Sequence, residues 1–288
     1  MLYSLKVGSA IAKYVPRKIL LTIANTLGNS IGFLPLKMIK KIESVQSNIS
    51  PELTNKRLKQ RARNVLGYYA QYWIDVFWIS TPRTKEDLKK IVRIEGLDNF
   101  KLAQQKATDR NGGVILALAH LGSFELAGAW LASTGERPLV VAERLKPPEL
   151  FELFERTRNV AGLEVIAHDD NPTTKLITGL KEGRVVCLVA DRDIAKSGQA
   201  HSFFDKEKLM PQGPATLAYL TKSSIVPVAT YLNHDSSLSI IFYPECEMVE
   251  AKTKKESIFL TTKLIVKSFE DMISRDPAQY HVLVNEWS

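Results

Sequence analysis

Apolar and polar positions along the chain follow two rhythms. Through roughly the first eighty residues the pattern is helical: Val65, Tyr69, Tyr72, Val76 and Ile79 recur at three- and four-residue spacings, giving one stripe of a helix expected over 55–79. Upstream, Ser50-Pro51-Glu52 has the order of a helix start, with serine as cap and proline in the first turn. From Ile91 onward, short apolar runs alternate with helical stretches. Strands are expected at 91–95, 114–119, 139–142, 164–167, 185–190, 225–231, 238–243 and 280–284, with helices at 97–108, 124–133, 147–159, 173–181, 214–221 and 257–274. Apolar strands separated by short helices imply an α/β fold, a mostly parallel central sheet flanked by helices on both faces. No linker composition separates the helical start from this core, so 1–288 reads as a single domain whose residues 1–85 form a helical N-terminal region.

Composition sharpens this picture in two places. The formal charge is +8, and its location matters more than its size. Up to Ile42 there is no Asp or Glu, whereas Lys6, Lys13, Arg17, Lys18, Lys37, Lys40 and Lys41 are basic. Basic residues interleaved with Leu, Ile and Phe predict amphipathic helices lying on an anionic membrane surface; an ordinary helical cap on the core is the alternative. No zinc-finger spacing, RNP-like motif or long basic run is present, so nucleic acid is not expected as a partner. The uncharged stretch 19–36 carries Asn, Thr, Gly and Pro and is a poor bilayer span. Cys187 and Cys246 are far apart, which gives neither a disulfide framework nor a metal knuckle and suggests a reducing compartment. The aromatic group Tyr68, Tyr69, Tyr72, Trp73, Phe77 and Trp78 fits either a helix face packed on the core or the wall of an acyl-chain site.

In a parallel α/β sheet, ligands sit beyond the carboxyl ends of the strands. The residues at those positions are His120 through Glu125 after one strand, Glu143 and Arg144 after the next, and Asp191, Arg192 and Asp193 after another. His120 ends its strand, Gly122 permits a tight turn, and Ser123 is placed to cap the next helix. That turn can return the Glu125 carboxylate to the imidazole, with Asp191 nearby as a second carboxylate. A carboxylate on one ring nitrogen fixes the tautomer and leaves the other nitrogen to take a proton from a hydroxyl. His168, His201, His234 and His281 have no comparable setting and are expected to be surface or structural residues. No GxSxG or GxGxxG motif supports a serine hydrolase or a dinucleotide-binding enzyme. A lipid-binding protein without activity is the reading from another class.

The run from Gly113 to Glu125, with its His-x4-acid spacing, resembles the corresponding block of the bacterial lipid A biosynthesis acyltransferases, and the fuller pattern is similar to their phosphatidylinositol mannoside acyltransferase branch. Tyr72-Trp73, Val141-Ala-Glu143-Arg144, the run from Gly183 to Asp193, Phe203-Phe204 and the run from Met210 to Ala215 extend the likeness in order along the chain. The resemblance implies a glycerol-phosphate-acyltransferase-like fold and an acyl-CoA co-substrate, palmitoyl-CoA being typical, with no cofactor and no metal. It implies a mannose hydroxyl of phosphatidylinositol mannoside, or a related glycolipid, as acceptor, and a monotopic protein on the cytoplasmic face of the cell membrane. His120 falls on its catalytic histidine, Glu125 on the acidic partner, and Glu143, Arg158 and Asp191 on polar positions lining the active-site groove. From the residues themselves, Asp191 is expected to join Glu125 in orienting His120, the amides at the helix start at Ser123 are candidate oxyanion donors, and Arg144, Arg158 and Arg192 are candidates to hold phosphates, with surface ion pairs as the alternative. Glu125 stands where the branch more often has Asp, and Asp191 where it has Glu, so each carboxyl is moved by one methylene.

Overall fold

A computed structural model describes residues 11–82, 84–144, 148–194 and 196–287, without the side chain of Lys85; Lys6 and Pro147, which figure in the expectations above, lie outside these ranges. Three helices come first: α1 (Arg17–Ile31), α2 (Lys37–Ile49) and α3 (Asn55–Trp78). Then follow α4 (Thr84–Ile91), β1 (Val92–Glu95), α5 (Leu97–Asp109), β2 (Val114–Leu118), α6 (Phe124–Ser133), β3 (Leu139–Ala142), α7 (Pro148–Val160), β4 (Glu164–Ala167), α8 (Pro172–Lys181) and β5 (Val185–Val189). A hairpin of β6 (Gln199–Phe203) and β7 (Lys206–Met210) precedes α9 (Gly213–Thr221), β8 (Ser224–Leu232), β9 (Leu238–Phe242) and α10 (Lys254–Arg275).

Seven strands form one sheet in the order β1-β9-β8-β2-β5-β3-β4. Only the β8–β9 pair is antiparallel; every other neighbour is parallel. This is the α/β class that the alternation of runs implied. Central β2 shows why its sequence is apolar throughout: Ile115 and Ala117 face one layer with α8, α9 and α10, whereas Val114, Leu116 and Leu118 face the other, with α5 and α6. All five residues are buried.

Three expectations are corrected. Ser50 does not start a helix; it closes α2, its amide bonding the Gln46 carbonyl, and α3 begins after Thr54. The strand expected over 280–284 is absent, and its backbone makes a single bridge, Leu121 with Tyr280. Conversely, the β6–β7 hairpin was not foreseen. Its strands are largely polar, and its turn uses Phe204 and Asp205 at φ 53° and 58° where glycine would be the visible signal.

The helical start is joined to the rest by close packing and by charge. A Cβ on Gly28 of α1 would lie 2.4 Å from the Leu66 carbonyl of α3, so those backbones meet only because that side chain is absent. Toward the other end of the same helix pair, Arg17 donates to Asp75 through Nε (2.6 Å) and Nη2 (3.0 Å), and Nη1 donates to the Ser236 carbonyl. Both partners are buried. Removing one buried charge of a pair strands the other, at a cost of about 3–5 kcal/mol. Arg17→Met is therefore expected to lower the melting temperature sharply, whereas Arg17→Met with Asp75→Leu recovers most of the loss. Thermal unfolding of the three proteins checks this.

Candidate active site

Strand register builds the centre of the site. Leu118 of β2 is paired with Val189 of β5, so two residues further on His120 and Asp191 stand side by side at the same edge of the sheet. Asp191 Oδ1 accepts from the His120 backbone amide (3.1 Å) and lies 2.7 Å from His120 Nδ1. The other face of the histidine backbone is held too, its carbonyl accepting from the His281 amide at 2.7 Å. Past it, Gly122 turns the chain at φ 61°, where a Cβ would lie 2.0 Å from the Thr230 carbonyl. No other residue fits that corner, which sends the chain directly into α6.

Asp191 has no solvent exposure, whereas the His120 side chain retains 24%. Burial by itself would raise the Asp191 pKa. The neighbouring charges of His120 and Lys208, with hydrogen bonding from His120 and Tyr280, outweigh that and bring it down to about 2. The aspartate is thus a fixed anion against Nδ1, and the second ring nitrogen is left to exchange protons.

Glu125 does not return to the imidazole as expected. It lies in the first turn of α6, buried, with both its oxygens taken by Arg158 of α7 (Nε at 3.2 and 3.0 Å, and Nη2 on Oε1) and a further contact from the Tyr72 hydroxyl at 3.3 Å. Arg158 is held firmly as a cation, since the Glu125 charge and hydrogen bonds overcome its burial. The orienting carboxylate is therefore Asp191, and Glu125 instead fixes Arg158 and Tyr72. Ser123 occupies the N-cap position of α6 without a capping hydrogen bond, and its hydroxyl is buried and unpaired.

An open groove runs across His120, lined by Tyr69, Tyr72 and Trp73 of α3 and by Glu143, Arg158 and Arg192. Arg144 is not part of it. That side chain is exposed and paired with Asp169 at 2.8 Å. Arg192 is held at the groove by Glu286, 2.7 Å away. Two features of the neighbourhood were missed from sequence. His281, expected to be structural, lines the groove with neither ring nitrogen hydrogen-bonded. Burial, reinforced by the nearby His120 charge, pushes its pKa down to about 3, so it is a neutral imidazole. In addition, a narrow apolar cavity lies between α6 and the sheet. Leu116, Leu118, Trp130 and Phe242 line it, and Phe124, Val141, Arg158 and Val189 belong to both cavity and groove. Its one sequence signal is the small-residue run Ala127-Gly128-Ala129 in α6.

Comparison with known proteins gives a consistent result. A family model described as bacterial lipid A biosynthesis acyltransferase matches residues 4–288. The chain is 30% identical over 238 residues to the phosphatidylinositol mannoside acyltransferase of Mycolicibacterium smegmatis, covering 78% of this chain and 71% of the relative. It is also 30% identical over 223 residues to the phosphatidylinositol mannoside acyltransferase of Mycobacterium tuberculosis, covering 76% and 67% respectively.

The depressed Asp191 pKa carries a stability consequence. An aspartate near 3.8 when unfolded and near 2 when folded stabilises the native state above pH 4 and loses that contribution as the pH falls through 2. The amount is about 2 kcal/mol. In denaturant titrations, the stability gap between the parent and Asp191→Asn should accordingly shrink by about this much between pH 4 and pH 2.

Proposed function

Because the chain belongs to the bacterial lipid A biosynthesis acyltransferase family, we propose that it moves a fatty acyl chain from acyl-CoA to a mannose hydroxyl of a phosphatidylinositol mannoside, with His120 as general base. The observation that carries this reading is the pairing of His120 with buried Asp191 in a groove that shares Phe124, Val141, Arg158 and Val189 with an apolar cavity. Such a junction suits a thioester: the acyl chain lies in the cavity, and its carbonyl reaches the imidazole. The acceptor class rests on the names of the two mycobacterial relatives.

In this mechanism the acceptor hydroxyl gives its proton to the free nitrogen of His120 as its oxygen attacks the thioester carbonyl. Asp191 stabilises the imidazolium that forms. Collapse of the tetrahedral intermediate breaks the carbon–sulfur bond, and the departing thiolate takes the proton back from His120. Helix α6 starts directly after the His120 turn, and the amides of its first turn, which a helix leaves unpaired, face developing negative charge. Arg192 and Glu143 at the groove suit polar headgroup and sugar contacts. The Arg158 charge is already matched by Glu125, which assigns that pair to shaping the junction between groove and cavity.

Membrane attachment belongs to the same proposal. On α1, Ile19, Ile23, Leu27 and Ile31 repeat every four residues and are all exposed, followed by exposed Phe33 and Leu34. Lys13, Lys18 and Lys37 flank this face. Among the described residues no helix is long and apolar enough to cross a membrane. An apolar stripe edged with lysine fits a helix lying in the headgroup layer of the cytoplasmic face.

Labelled palmitoyl-CoA with purified phosphatidylinositol mannosides tests the chemistry. His120→Ala should lose at least ~10²-fold in turnover. Asp191→Asn and Glu125→Gln should each reduce it, and their losses should multiply in the double variant, since the two carboxylates serve different partners. Near-parental turnover by His120→Ala would place the base elsewhere. Vesicle sedimentation tests the attachment. Ile19→Ser, Ile23→Ser and Leu27→Ser combined should weaken binding to anionic vesicles by at least about tenfold, leaving a residual component that salt removes. Equal binding by the triple variant would rule out α1 as the docking face.

A further inference from the structure

Behind the His120–Asp191 pair lies a second set of charges that no step of the transfer uses. Lys208, on β7, has no exposed surface. Its ammonium sits 5.2 Å from the Phe203 ring centre and 4.7 Å from that of Trp287. It donates to the Asp191 carbonyl at 2.8 Å and lies 3.5 Å from both the Tyr280 hydroxyl and Glu286 Oε2. The Tyr280 hydroxyl lies near the Asp191 carboxylate, whose Oδ2 makes no hydrogen bond, and Glu286 accepts from groove-lining Arg192. A chain of contacts therefore runs from the imidazole through Asp191 to Lys208, which also reaches Tyr280 and Glu286, and from Glu286 to Arg192 at the groove beside His120.

Burying a lysine completely is costly, and its position shows what the cost secures. A buried carboxylate against Nδ1 favours the imidazolium. The more strongly Asp191 holds that proton, the less readily the ring gives it up to the leaving group and starts again as a base. We propose that Lys208, Tyr280 and Glu286 are positioning residues that set how strongly Asp191 holds the proton taken up by His120. The Lys208 cation and the Tyr280 hydroxyl draw on the Asp191 carboxylate from its far side and weaken its hold on the ring. Glu286 sits beyond Lys208 and partly cancels it. The signs are therefore opposed: removing the cation or the hydroxyl favours the imidazolium, and removing the Glu286 charge disfavours it. The other titratable groups around the ring are neutral His281, the mutually paired Glu125 and Arg158, rim residue Glu143, and Tyr69 and Tyr72 across the groove. None of these is altered by the variants below.

The inference rests on His120 being the base, and the experiment separates the two claims. The pH dependence of kcat for acyl transfer is measured on the full chain as parent, Lys208→Met, Lys208→Arg, Tyr280→Phe and Glu286→Gln, with His120→Ala as control. The acid-side fall in kcat should move up by about half a pH unit or more in Lys208→Met and Tyr280→Phe, with KM for acyl-CoA little changed. It should move down in Glu286→Gln and return near the parental position in Lys208→Arg. A merely structural role lowers the amplitude and leaves the midpoint in place. If Lys208→Met does not fold by circular dichroism, the opposed shifts of Tyr280→Phe and Glu286→Gln decide the matter. Superimposed profiles, or shifts of one sign only, overturn this proposal while an inactive His120→Ala leaves the base intact; an active His120→Ala overturns the base itself.

Discussion

Parallel pairing of Val114–Leu118 with Val185–Val189 is the constraint from which the site descends. Strands advance about 3.3 Å per residue and alternate their faces, so a slip of one position would separate His120 from Asp191 and turn one of them toward the wrong layer. The register is held from both sides, since β2 also pairs with β8 through Leu118 and Val228. Apolar burial on both faces penalises every alternative alignment. The chemistry at the strand ends is thereby positioned by residues that have no chemistry of their own. Gly122 then adds the one turn that lets α6 begin beside the imidazole.

Around this centre the molecule pairs ionisable side chains, each with at least one partner buried. Arg17 with Asp75, Arg158 with Glu125, and His120 with Asp191 each join elements distant in sequence. Such pairs add little net stability relative to apolar packing, but leaving one partner alone is expensive, so each tolerates few alternative arrangements. At Glu125 and Arg158 this fixes the boundary between groove and cavity. At Arg17 and Asp75 it fixes α1 against α3, and with it the direction in which the row of exposed isoleucine and leucine points.

Much of the fold was legible because a parallel sheet covered on both faces writes itself as uninterrupted apolar runs, as in β2 and β8. The β6–β7 hairpin left no such trace: its polar strands read as a loop, and positive φ at Phe204 and Asp205 is invisible without a glycine. Within the site, His120 and Asp191 were recognisable from their strand-end positions. The partner of Glu125 was not, because which way a carboxylate leans from the first turn of α6 depends on Arg158 arriving from α7. Lys208 was the hardest to see. Inside Asp205-Lys206-Glu207-Lys208 it looks like part of a solvated face, and only the folding of Phe203 and Trp287 over it reverses that reading. His281 was hidden in a similar way, its strand-like surroundings resolving into a segment that crosses the groove.

That crossing segment also orders events in time. The helix with the exposed apolar row precedes every strand of the sheet along the chain, and the sheet cannot close until β8 and β9 supply the inner partners of β2 and β1. Residues 280–287, which clamp the His120 carbonyl and enclose Lys208, follow every strand of that sheet. During synthesis the exposed apolar row therefore emerges well before the His120 carbonyl is clamped. The arrangement around His120 is completed only after every strand of the sheet has been made.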